Sequence, residues 1–207
     1  MESTDADAPP DREAAIRAAA DAGRWDQAAE LALRAYGQEL LEYLIATARS
    51  EADGEDAFSV FTERMWRGLP GFRWQASART WCYTVARRAL AEIKRSGPAR
   101  RARLHAPLSQ SPGLAAAAAD VRTRTVTFLR SAARDALAEV RDALDPEDQE
   151  LLILRIDRKL AWREVAEIMT ADETLDAEAL ERRTAALRKR FEKLKGKLRV
   201  AIGRAAR

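Results

Sequence analysis

Two stretches of this chain place cations and aromatics where they could hold a polyanion. From Leu180 to Arg207 there are eleven Lys and Arg residues against two acids, Glu181 and Glu192. Through the same stretch Leu180, Leu187, Phe191, Leu194, Leu198 and Ile202 recur at steps of seven, four, three, four and four. That spacing is one apolar stripe on a long helix, which can rest on a core while the remaining face stays basic. The second stretch, residues 73–104, carries nine bases and one acid, Glu92. In and beside it Phe72, Arg73, Trp74, Arg79, Trp81, Tyr83, Arg87 and Arg88 interleave aromatics with guanidinium groups. Phosphates release condensed counterions when such cations neutralise them, and aromatic faces stack on unpaired bases. The chemistry suggested is non-covalent grip on nucleic acid, at two places. Trp81, central in an apolar stripe, is expected in the core. Trp74, beside a loop, is the better stacking candidate.

Catalytic and ligand chemistry have thinner support. Glu164/Glu167 and Asp56/Glu63 are acid pairs at helical spacing, which solvated helix faces explain. No phosphate-cradling glycine loop and no nucleophile elbow is present, so no enzyme and no cofactor is expected. One cysteine, Cys82, excludes an internal disulfide, and with one histidine, His105, a zinc site is hard to assemble. A lone helical cysteine is expected to pack rather than to sense redox state. No apolar run approaches a bilayer-spanning length, and the acidic N-terminus is no signal peptide, so membrane insertion is not expected and the cytoplasm is. The net charge of +3 hides an asymmetry, because residues 1–56 carry fourteen acids and five arginines.

These groups have to be positioned by helices. Ala, Leu, Arg and Glu dominate, and no alternating β-branched run reads as a strand. The expected fold is all-α: two small helical domains joined by a flexible linker, the C-terminal one helix-turn-helix-like. Residues 1–11 read as a leader, and 12–22 and 25–35 as two helices broken at Gly23. Residues 37–49 follow, and Gly54 breaks the chain before a helix from Glu55 to about Arg67. A helix from Ser77 to Ser96 carries the aromatic and basic positions. Residues 97–121, with prolines 98, 107 and 112 and a polyalanine patch, read as the linker. A helix of 123–144 opens the second domain. Asp145-Pro146-Glu147-Asp148 starts the next, combining an N-cap acceptor, proline at the first position and acids in the first turn. It ends near Lys159; Trp162–Met169, an acidic loop at 170–177 and the basic helix complete a helix-turn-helix layout.

At these residues the chain resembles bacterial RNA polymerase sigma factors of the small extracytoplasmic-function type, in the sigma-70 family. Gly54-Glu55-Asp56 through Met65-Trp66 is similar to the family's acidic start, amphipathic helix and closing tryptophan. Trp81-Cys82-Tyr83-Thr84-Val85-Ala86-Arg87-Arg88 resembles its promoter-melting helix. Leu144 to Glu150, Leu160 to Met169 and Leu187 to Leu198 resemble its C-terminal domain and −35 recognition helix. The resemblance divides the chain into a leader and hairpin (1–30), a region 2-like domain (31–96), the linker (97–121) and a region 4-like domain (122–207). Where the family usually has a Gln-Glu pair this chain has Ser59-Val60, and Arg88 and Glu92 stand where the melting helix usually has Asn and Asp. An acidic insertion, about 170–184, separates the helix-turn-helix helices.

The resemblance implies a factor that directs RNA polymerase to promoters. Asp56, Phe58, Arg64 and Met65 would dock on the β′ clamp helices, with the β flap as a second polymerase contact. Trp74, Arg79, Arg87, Arg88, Lys94 and Arg95 would hold the −10 strand; Arg183, Arg188, Lys189 and Lys193 would lie at the −35 duplex. An anti-sigma factor is a further partner the family admits. Two other functions fit the same residues: a helix-turn-helix regulator that does not recruit polymerase, and a helical adaptor built on the 12–35 hairpin. The adaptor would need a second copy of that hairpin, and none is found.

Overall fold

A computed structural model describes residues 10–97, 101, 111–131, 143–171 and 173–205, with side chains over 12–97, 101, 111–125, 143–171 and 173–199. Residues 1–9 of the leader, Arg100, Arg103, His105, Asp172, the 132–142 part of the expected 123–144 helix and the side chains of Ile202, Arg204 and Arg207 lie outside these. Eight α-helices and no strand occur among the described residues: α1 (Pro10–Asp21), α2 (Trp25–Ala48), α3 (Glu51–Gly68), α4 (Ala78–Arg95), α5 (Pro112–Ser131), α6 (Pro146–Leu152), α7 (Trp162–Met169) and α8 (Ala177–Ala205). The all-α expectation holds. The chain divides into two compact units, Met1–Leu129 and Arg130–Arg207.

In the first unit α2, α3 and α4 pack on one another through apolar stripes. Leu33, Leu40, Leu41 and Leu44 of α2, Phe58, Phe61 and Met65 of α3, and Ala86, Ala89 and Ile93 of α4 are all fully buried. Tyr43 and Tyr83 meet edge to face, centroids 5.2 Å apart, the preferred arrangement for two ring quadrupoles. Cys82 is buried here, and burial, then the nearby Glu13 and Glu39 carboxylates, push its thiol pKa up. It packs as a small hydrophobe.

Three boundaries differ from the sequence reading. The expected 25–35 and 37–49 helices are one: α2 runs unbroken from Trp25 to Ala48. A Cβ at Gly37 would lie 2.8 Å from Val121 Cγ2, so the glycine admits α5. Gly54 is likewise internal. α3 starts at Glu51, with the Ser50 hydroxyl accepting from the Asp53 N–H at 3.2 Å, as an N-cap does. A Cβ at Gly54 would fall 2.7 Å from Ile45 Cα, so the backbones of α2 and α3 cross there. Third, the stretch expected as a tether is helical from Pro112. Leu114, Ala117, Ala118, Val121 and Thr125 of α5 are buried at steps of three, one, three and four. Proline suits the first position of a helix and alanine favours its interior, and the stripe supplies the packing.

In the second unit Asp145 caps α6, its carboxylate accepting from the Glu147 N–H at 2.9 Å, with Pro146 in the first turn. A π-helical turn, Ile153–Asp157, follows. α7 begins where the Glu164 carboxylate accepts from the Ala161 N–H at 2.8 Å. α7 packs on α8, with Val165, Ile168 and Met169 of α7 and Leu187, Phe191 and Leu194 of α8 all buried. Leu180 and Leu198 of the predicted stripe are half-buried.

Candidate nucleic-acid interface

Helix α4 is set by its cap and by two acids from far along the chain. Ser77 Oγ accepts from the Thr80 N–H at 3.0 Å. One oxygen of Glu13, on α1, accepts from the Ala78 N–H, and the other accepts from the Tyr36 hydroxyl at 2.8 Å. Burial, reinforced by the hydrogen bond to Glu13, raises the Tyr36 pKa. Arg79 grips Glu39 with two hydrogen bonds, both 2.8 Å. Such a planar two-bond fit is what guanidinium and carboxylate geometry favours. Arg79 is therefore a strut between α4 and α2. The resemblance implies Arg79 as a strand contact; in the structure its guanidinium is engaged in this pairing.

Of the other expected strand residues, Arg88, Lys94 and Arg95 are exposed and Arg87 is half-buried on α4. Lys94 Nζ donates to the Thr47 carbonyl at 2.9 Å. Arg73 is exposed beside the aromatics. Trp81 is half-buried rather than in the core. It stacks on Phe72 at 4.8 Å and 19°, and Phe72 meets Trp74 at 4.7 Å and 44°. Gly68 makes room, since a Cβ there would stand 3.3 Å from the Trp81 ring. Trp74 has φ +56°, uncommon for a bulky side chain, and the Arg17 guanidinium lies 5.5 Å from its ring centroid. The aromatics form one half-exposed row, Trp74–Phe72–Trp81, with a cation at its outer end.

The four residues expected to dock on polymerase fall into two groups. Phe58 and Met65 are fully buried, because α3 turns them into the core between α2 and α4. They shape the surface and do not present it. Asp56 and Arg64 are half-buried, and Arg64 pairs with Glu92 across to α4. Glu92, which stands where an aspartate was expected, thus ties two helices together. Ser59 accepts from Arg122 of α5 at 2.9 Å, and the Arg122 guanidinium lies over the Phe58 ring at 5.3 Å. Burial lowers the Arg122 pKa, which the Glu55 carboxylate partly opposes.

On α8, Arg188, Lys189 and Lys193 are exposed and Arg183 is half-buried. Arg155 and Arg188 lie 5.0 and 5.9 Å from the Trp162 ring centroid, and Trp162 meets Phe191 edge to face at 5.3 Å. Arg190 points the other way and pairs with Asp145, Glu147 and Asp148 at the start of α6. Its hydrogen bond to Asp148 raises its pKa. Counting charge could not separate Arg190, which holds the unit together, from its solvent-facing neighbours.

Among the described residues no group of His, Cys, Asp and Glu could hold a metal ion, and no helix is long and apolar enough to cross a membrane. Residues 32–97 match the Sigma-70 region 2 family. The matched segment is about a third of the chain and lies wholly in the first unit, from within α2 to the end of α4. No curated protein and no solved structure matches the chain.

Proposed function

We propose that this chain, whose residues 32–97 match the Sigma-70 region 2 family, is a promoter-specificity subunit of the extracytoplasmic-function type. It would bring RNA polymerase to its promoters, holding the melted −10 strand with one unit and the −35 duplex with the other. The observation that carries this reading is the position of the exposed cations. Arg88, Lys94 and Arg95 project from α4 within the matched segment, which also contains the Trp74–Phe72–Trp81 row. Cations along a backbone with aromatic faces for unpaired bases are what a single strand needs.

In the second unit, reading α6, α7 and α8 as a helix-turn-helix is supported by their order and by the exposure of Arg188, Lys189 and Lys193 on α8. Arginine can read guanine with two hydrogen bonds in the major groove, while lysines chiefly hold phosphate. Asp56, Arg64 and the α3 surface in front of Phe58 and Met65 would meet the β′ clamp helices, and the second unit the β flap. An anti-sigma factor would compete for these surfaces. The protein would act in the cytoplasm, where polymerase and DNA are, and would break no bond itself. Its binding energy would offset the cost of strand opening.

Competition for core polymerase tests the reading. The full chain should co-purify with core enzyme lacking other sigma factors and be displaced by an excess of another sigma-70 family member. If it binds promoter DNA but never core polymerase, the regulator without recruitment is the better account.

A further inference from the structure

Helix α1 lies before the matched segment, yet it is built into the aromatic row. Glu13 pins it there, accepting from Tyr36 on α2 and from the Ala78 N–H at the start of α4. Arg17, four residues later on the same face, lies over Trp74 at 5.5 Å. Phe72 and Trp81 continue the row behind Trp74. Arg17 is 60% exposed, and its ion pair, with Asp21 on its own helix, is loose at 3.9 Å.

A guanidinium held over an indole by the ring quadrupole keeps N–H donors for a further partner. Those donors suit a phosphate, which accepts two parallel hydrogen bonds from arginine. We propose that Arg17 is a further nucleic-acid contact. Held over Trp74, it binds the backbone phosphate of a nucleotide whose base lies against the aromatic row, and Glu13 is the residue that positions it. α1 thereby extends the strand-binding surface beyond the family segment. This inference rests on the reading of α4 and its aromatics as the single-strand site.

The test uses the full chain reconstituted with core polymerase and a fluorescent pool of random-sequence 20-nucleotide single-stranded DNA, with core enzyme alone as baseline. Arg17→Ala should weaken binding about fivefold and lower the slope of log affinity against log salt by about 0.7, the value for one phosphate on a single strand. Arg17→Lys should keep the slope, because an ammonium still neutralises the phosphate. In a Trp74→Ala background, Arg17→Ala should change affinity less than twofold, since the platform that orients it is gone. The exposed site predicts an unchanged melting temperature for both Arg17 variants, which separates lost contact from lost fold. Should Arg17→Ala leave affinity and slope unchanged while Arg88→Ala lowers both, the proposal is overturned and the α4 reading stands. Should Arg17→Ala, Arg88→Ala and Trp74→Ala all bind like the parent, the α4 reading fails and takes the proposal with it.

Discussion

Arg79 and Glu39 face each other across α4 and α2 with two hydrogen bonds of 2.8 Å, their side chains only 18% and 22% exposed. An arginine on the basic helix of a nucleic-acid-binding domain is thus spent on the fold. Pairs this sheltered are costly to break from one side, because the remaining charge loses its partner while still partly desolvated. Arg79→Ala and Glu39→Ala should each lower stability by about 1–3 kcal/mol. The exchange Arg79→Glu with Glu39→Arg should recover part of the loss in a urea titration. Equal stability for the single variants and the parent would show that the pair contributes nothing.

Arg88 and Arg95 should behave in the opposite way. Both are exposed on α4, so Arg88→Ala or Arg95→Ala should leave the melting temperature within a degree or two. Each should weaken single-strand binding and flatten its salt dependence. A stability loss as large as that of Arg79→Ala would place them in the framework instead.

Gly54→Ala adds a methyl group where Ile45 Cα is 2.7 Å away and Ile45 N is 2.8 Å away. Backbone cannot rotate out of the way as a side chain can, so α2 and α3 must separate. The expected cost is about 1–3 kcal/mol, as for an overpacked core, even though alanine is the better helix former. A neutral or stabilising effect in chemical denaturation would mean the two helices can spread without loss.

Alkaline pH should weaken the first unit. The folded pKa values of Cys82 and Tyr36 are both raised, chiefly by burial. The folded state therefore holds protons that the unfolded chain gives up. This contribution is complete below the unfolded values, about 8.5 for Cys and about 10 for Tyr, and is lost as pH rises above them. The urea midpoint should fall between pH 7 and pH 10, and Cys82 should resist iodoacetamide until the unit opens. Rapid alkylation of the native protein at pH 8 would contradict the burial.

The parts of this molecule legible in sequence are those where a local pattern and the packing agree. Ser77 and Asp145 announced the starts of α4 and α6, because caps act within three residues. The stripe of α8 announced its buried face, with Leu187, Phe191 and Leu194 in the core. Gly54 misled, because glycine serves close helix crossings as well as breaks. α5 was hidden by its composition. Prolines and alanines read as a tether, although Leu114, Ala118, Val121 and Thr125 already carry helical spacing. The site was less legible than the fold. Nothing local to Arg79, Arg64 or Arg190 says that Glu39, Glu92 or Asp148 waits far along the chain. Cation-rich segments can be read from sequence, whereas the division of their cations between struts and contacts is made by tertiary structure.

The second unit offers a parallel division. Arg188→Glu with Lys189→Glu should abolish duplex binding and spare polymerase binding. Arg190→Ala should loosen α6 from α8 by removing the partner of Asp145, Glu147 and Asp148. Circular dichroism melts of the two variants separate these outcomes. A melting temperature lowered only by the charge reversal would invert the assignment.

Promoter-directed transcription tests the central claim most directly. The purified chain would be added to core RNA polymerase and a fragmented library of the source genome, and transcripts mapped to their 5′ ends. The account predicts discrete start sites that appear only with the chain present and vanish with Arg188→Glu and Lys189→Glu. Transcripts identical to those of core enzyme alone, at every template concentration, would contradict it.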